Sequence, residues 1–235
     1  MGETETATME PMWPQGASEE YVAARVELAR AERRLRDQIE AVAAARRRMP
    51  QGLLLDEYSF AEGPSDPGKL AAERTTTLRE LFGDHETLVI YHLMFHPDDD
   101  TACPMCSLWV DGFHGVVHHL KQRTAFAVVA KAPLPQLRQW ALRRGWDGLR
   151  ILSSHGTSFN ADLNAERADG DQRPMISVFT ADGERVRHFY TLPANFLDDS
   201  ERGIDLLSPV WNVLDLLPAG RGDWYASNSY PGRER

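Results

Sequence analysis

Cysteine is scarce in this chain: among 235 residues there are two, Cys103 and Cys106, separated by only two positions. A pair that close cannot tie distant segments together, which excludes the disulfide-stapled class of small secreted domains. Positive charge is also in short supply. Lys and Arg number 26 against 35 Asp and Glu, a formal net charge of -9, whereas a phosphate-tracking surface needs clustered Lys and Arg. Nucleic acid is therefore not an expected partner. No run approaches the roughly 20 apolar residues of a membrane span, so no membrane is expected either. Residues 1–15 are acidic and lack the basic-then-apolar pattern of a leader, and a cytoplasmic location follows as an expectation. Met1-Gly2 with Thr6 formally fits an N-myristoylation pattern, but Glu3 beside the glycine argues against it.

What is present is enough for one well-buried domain and an appendage, with 42% hydrophobic residues. After a flexible start over 1–17, Ser18 is a good N-cap for a long helix, and the segment 18–50 ends at Pro50-Gln51-Gly52. Tyr21, Leu28, Leu35, Val42 and Met49 recur every seven residues with Ala24, Ala31 and Ala45 beside them, a narrow apolar seam. That seam either packs on the body or makes a homodimer through this helix. Residues 51–82, rich in Gly, Pro, Asp and Ser, read as a linker and a short helix ending at Leu81-Phe82-Gly83.

From 83 to 221 the periodicity alternates. Leu88 to Phe95 is a buried-strand run, Cys106 to Leu120 has helical spacing, and Thr124 to Ala130 is a second strand. Leu134 to Arg144 is a helix closed by Gly145, and Leu149 to Ser153 a third strand. Met175 to Thr180 and Glu184 to Tyr190 flank Ala181-Asp182-Gly183 as a hairpin. A last helix is expected over Ile204 to Leu217, and residues 222–235 read as a tail. Strand, helix, strand, helix, strand implies parallel pairing with right-handed crossovers. The fold class is α/β, a central mixed sheet flanked by helices. Its order is that of a thioredoxin-like fold with the extra helix–strand of peroxiredoxins, plus the long N-terminal helix.

The chemistry concentrates at Cys103-Pro104-Met105-Cys106. Pro104 suits the first turn of the helix, where its missing N–H had no intrahelical partner. Cys103 then falls at the N-cap, where free N–H groups and the positive end of the helix dipole favour the thiolate. Cys103 is the candidate nucleophile and Cys106, one turn on, the resolving thiol. The upstream Asp98-Asp99-Asp100 would oppose ionisation if it pointed inward, and is read as a solvated loop. Half of a zinc site has the same CxxC spacing, but its other ligands would have to come from His92, His96, His114, His118, His119 or an acid. No metal and no cofactor is expected. Most of these histidines read as strand or helix surface residues, with His96 the one nearest the dithiol loop.

The stretches LVIYHLMFHP, CPMCSLWVDGF, Lys131-Ala132-Pro133-Leu134, RRGWDGLRILSSHGTSFN, ISVFTADGERVRHFY and RGIDLLSPVWNVLDLLPAGR, with AAARRRMP in the leading helix, resemble the thioredoxin-like family catalogued as domain of unknown function 899. Its members carry the label of predicted dithiol-disulfide oxidoreductases, and the resemblance implies a CxxC redox protein. The chain departs from the family pattern at Thr191-Leu192-Pro193-Ala194-Asn195 and at the acidic loop Asp198-Asp199-Ser200-Glu201. The thioredoxin likeness further implies that Pro174, before MISVF, is the proline that lies against the dithiol, in the cis form; an ordinary strand-starting proline is the plainer alternative. A more distant resemblance to peroxiredoxins rests on Pro97 and Thr101, with Cys103 one residue early. It would make Arg173 the thiolate-stabilising arginine rather than a surface charge.

Three functions follow as expectations. The first is a thiol-disulfide oxidoreductase, acting on a thiol or disulfide substrate with a separate reductant. The second is a thiol peroxidase in which Cys106 traps a sulfenic acid on Cys103. The third is a non-catalytic binding or scaffolding protein of thioredoxin fold, suggested by Ala102 where a tryptophan would precede the first cysteine.

Overall fold

A computed structural model describes residues 12–69, 72–196 and 200–229. The N-terminal residues 1–11, Asp198 and Asp199 of the acidic loop, and 230–235 of the tail lie outside it. The chain divides into two compact units at Pro50/Gln51.

The first unit is the helix α1 (Glu19–Arg47). The Ser18 side chain accepts from the Tyr21 N–H, Glu19 and Glu20 sit in the first turn and Arg46 and Arg47 in the last, so both ends complement the macrodipole. The expected start and stop are met within a few residues.

The second unit is built on a seven-stranded sheet: β1 (Ser59–Glu62), β2 (Arg74–Thr77), β3 (Thr87–Leu93), β4 (Ala125–Ala130), β5 (Arg150–Ser153), β6 (Met175–Asp182) and β7 (Arg185–Pro193), in the order β2-β1-β5-β4-β3-β6-β7. β3 pairs in parallel with β4, and β4 with β5, while β6 runs antiparallel to β3 on its other side. The crossovers are α2 (Pro104–Leu120) and α3 (Leu134–Arg144). A parallel β3-α2-β4 unit with a hairpin on the far edge of its first strand is the thioredoxin-like arrangement, and α3-β5 is the additional helix–strand. Gly145 closes α3 at φ 73 and Gly183 turns the hairpin at φ 60, conformations that cost glycine little.

Strand alternation divides the core. Tyr91 and Leu93 of β3 with Phe126, Val128 and Ala130 of β4 face one side, against Val110, Phe113 and Val117 of α2 and Leu137 and Trp140 of α3. Leu88, Ile90, Ala125, Ala127 and Val129 face the other, against Phe60, Phe82 and Phe159. A period of two along strands buried on both faces produces this split.

Three expectations are corrected. Residues 51–82 are not a linker: β1 and β2 pair with each other and β1 pairs with β5. They are joined by a buried carboxylate, since Glu62 accepts from Thr76, Arg74 and Arg150. The short helix ending at Phe82 is a single 3-10 turn, Glu80–Phe82. The last helix is split into a 3-10 turn at Asp205–Leu207 and α5 (Pro209–Leu214), because Pro209 has no N–H to continue the first turn and fits the start of a new one.

Candidate active site

The end of β3 and the start of α2 are stapled together: the Cys103 N–H donates to the Met94 carbonyl at 3.0 Å. Cys103 is the N-cap of α2 and Pro104 its first residue, as expected, and the Cys103 Sγ accepts from the Cys106 N–H at 3.5 Å. Cys103 is half-buried and Cys106 buried, both as free thiols.

That geometry drives the two sulfurs apart electrostatically. The Cys106 thiol donates to the Cys103 sulfur; against the opposing effect of burial, and with the N–H groups of Cys106 and Met105, this brings Cys103 down to about 6. Cys106 is pushed well above the ordinary thiol range, by burial first and then by Cys103. The lowered thiol thus stands at the helix N-terminus and the raised one a turn behind it, within the helix.

Cys103 and Cys106 open on a cleft of about 1000 Å³ whose walls include Met94, Met105, Gln172, Arg173, Pro174, Trp211, Trp224 and Tyr225. Arg173 and Pro174, the residues expected to face Cys103, line the same cleft as the dithiol. Every peptide bond among the described residues is trans, which overturns the cis expectation for Pro174. The flanking groups hold an extended strand entry, since the Arg173 N–H donates to Ala165 at 2.8 Å and the Pro174 carbonyl accepts from Ala194 at 3.0 Å. Pro174 is the strand-starting proline that needs no N–H of its own. Arg173 is not among the groups that lower the Cys103 thiol.

Pro97 and Thr101 do not reach the cleft. Their loop is drawn toward α3, where the Gln136 amide donates to the Asp99 carbonyl. Asp98, Asp99 and Asp100 are exposed, in accord with a solvated loop. His96 accepts from the Asp98 N–H at 3.2 Å. His92 corrects the reading of these histidines as surface residues: it is 2% exposed, its Nε2 lies 2.9 Å from Ser177 Oγ, and burial lowers it to about 3. Among the described residues no three His, Cys, Asp or Glu side chains converge on a common point that could hold a metal.

Several site residues escaped the sequence reading. Tyr91, fully buried on β3, has a hydroxyl with no hydrogen bond of ordinary geometry; the group that reaches it is the Cys106 thiol. Gln172 holds the Phe95 N–H with its Oε1 at 2.9 Å and leaves its buried Nε2 unpartnered on the cleft wall. The tail returns to the site: Asn228 donates to the Ala102 carbonyl at 2.8 Å, and Trp224 meets Trp211 edge-on at 5.4 Å. Arg221 lies 4.3 Å over the Trp211 ring and pairs with Asp205 and Asp215. Gly203 packs against the end of β7, where a Cβ would lie 2.3 Å from the Pro193 carbonyl oxygen. The aromatic pair Trp224-Tyr225 in an otherwise polar tail was the available signal.

A family profile described as "Bacterial protein of unknown function (DUF899)" matches residues 12–234. No curated protein matches the sequence. Among solved structures, the chain is similar to peroxidoxin BcpB from Mycobacterium tuberculosis, at 13% identity and TM-score 0.48, over 68% of this chain and 94% of that one. It is similar to the reduced 2-Cys peroxiredoxin of Plasmodium vivax at 13% identity and TM-score 0.49, over 72% and 98%. Against AhpC of Mycobacterium bovis the values are 16% and 0.47, over 77% and 98%. At those scores the fold assignment rests on the chain's own strand order and connections. No helix among the described residues is long and apolar enough to cross a membrane.

Proposed function

The chain belongs to the DUF899 family, and from that premise we propose that it is a dithiol-disulfide oxidoreductase whose nucleophile is Cys103. The observation that carries this reading is the division of labour within one turn of helix: a half-exposed thiol at about 6 in front of a buried, protonated one. The Cys103 thiolate attacks one sulfur of a substrate disulfide, forming a mixed disulfide and expelling the other sulfur as a thiolate. Cys106 then attacks Cys103, its proton passes to the departing substrate sulfur, and the Cys103–Cys106 disulfide forms. The substrate is reduced by two electrons and the pair oxidised by two, and an external dithiol restores it. A reducing cytoplasm would keep the pair ready.

Reduction of insulin with a dithiol donor tests this. Precipitation of the freed B chain should be accelerated by the protein and not by Cys103→Ser, while Cys106→Ser should accumulate the mixed disulfide. Activity that survives Cys103→Ser refutes the proposal.

A second reading, a thiol peroxidase, draws on Arg173 at the same cleft. There the thiolate would take a peroxide oxygen, releasing an alcohol or water and leaving a sulfenic acid that Cys106 condenses with, expelling water. Fast peroxide consumption, lost in Arg173→Ala and unaccompanied by insulin reduction, would select it.

A further inference from the structure

Helix α1 buries none of its residues, yet it is not a uniformly polar rod. Tyr21, Leu28, Leu35 and Val42 are 51, 53, 59 and 38% exposed and stand at intervals of seven along one stripe, while Met49, next in the series, lies just past the helix end. Exposed apolar side chains scattered singly need no explanation; four in register do. A strict seven-residue repeat drifts by about 20° per heptad on a straight helix, so over three heptads it suits a supercoiled helical partner better than a globular surface.

Two further features say which partner. Midway between the large residues lie Ala24, Ala31, Gln38 and Ala45, small or slender side chains. If a second helix of the same sequence runs the opposite way, Leu28 meets Ala45 of the partner subunit, Leu35 meets Gln38 of the partner subunit and Val42 meets Ala31 of the partner subunit. Large faces small in the two alanine layers, which lets the two backbones approach there. Charge selects the same direction. Residues 19–32 contain four Glu and two Arg, and residues 33–48 six Arg against Asp37 and Glu40. Parallel pairing would lay acid on acid and base on base, whereas the same antiparallel register sets Arg33 against Glu40 of the partner subunit, Arg36 against Asp37 of the partner subunit and Arg46 against Glu27 of the partner subunit.

We propose that α1 is a self-association element, pairing with α1 of a second copy of this chain in an antiparallel, two-fold-symmetric coiled coil. The interface is isologous and closes at two copies.

Sedimentation equilibrium of the full chain tests it. A dimer is expected at concentrations of tens of µM, with dissociation favoured by added salt. Leu35→Glu places a charge in the central layer and should weaken the dimer at least tenfold. Leu142→Glu, at an exposed leucine of α3, should leave it intact; circular dichroism checks that both variants fold. Direction is read in a background with Cys103 and Cys106 replaced by serine. Gln38→Cys should cross-link between copies on oxidation. Ala24→Cys should not, because antiparallel pairing puts it opposite residue 49, about 37 Å along the helix from its own counterpart. A monomer at all concentrations, a dimer indifferent to Leu35→Glu, or cross-linking through Ala24→Cys would each overturn the proposal.

Discussion

Removing the Cys106 thiol should raise the pKa of Cys103, and the size of the effect can be worked from the site. Cys103 ionises at about 6, so at pH 7 about 90% of it is thiolate, against about 3% for an ordinary thiol at about 8.5. The largest cause of that lowering is the hydrogen bond from Cys106, ahead of the backbone N–H groups of Cys106 and Met105. Cys106→Ala deletes the donor and keeps the backbone. The midpoint should rise by at least about one unit, which at pH 5 and below reduces the thiolate roughly tenfold. Cys106→Ser keeps an O–H donor and should retain most of the lowering. The assay is the rate of iodoacetamide alkylation of Cys103 against pH, read by mass spectrometry. For the wild type the rate should climb tenfold per pH unit below the midpoint and flatten above it, because only the thiolate reacts. A wild-type midpoint near 8.5, or one unmoved by Cys106→Ala, refutes this account of the site.

Tyr91→Phe removes the hydroxyl that faces Cys106 while leaving the ring packed. Formation of the mixed disulfide should be unaffected and its resolution slowed about ten- to a hundredfold, the worth of a hydrogen bond to a developing thiolate; rapid quench followed by mass spectrometry separates the steps. Glu62→Gln leaves Arg74 and Arg150 facing an uncharged group. A cost of about 3 kcal/mol and a Tm lower by roughly 6–12 °C are expected by calorimetry. Burial alone would raise the Glu62 carboxyl, but Arg150, Thr76 and Arg74 hold it below the ordinary value. Its contribution is therefore present at neutral pH and lost as the pH falls through that depressed value. His92 works in the same direction at milder acidity. It ionises at about 3 when folded and at about 6.5 when unfolded, so between those values the unfolded chain binds the extra proton. Urea unfolding should show about 2 kcal/mol less stability at pH 5 than at higher pH from this group alone, a difference missing in His92→Gln.

The sequence by itself determined whatever local pattern can encode. Alternation in LVIYHLMF and TAFAVVA, helical spacing from Cys106 to Leu120, and Gly145 and Gly183 at their turns set the strands, helices and order of the thioredoxin-like core. Pro104 fixed the start of α2 and thereby put Cys103 at a helix N-terminus, since proline's missing N–H is harmless only there. The tertiary structure alone decided what depends on partners remote in sequence. β2 is Arg-Thr-Thr-Thr with little apolar signal, and it is a strand because β1 pairs with it and Glu62 holds Arg74 and Thr76. The tail joins the site through Asn228 and Ala102, 126 residues apart. Tyr91 reads as one more apolar residue of its strand until the packing of α2 sets its hydroxyl against Cys106. Periodicity says which face of an element is buried, and it does not say which side chain stands opposite, because that contact is made only when separate elements dock.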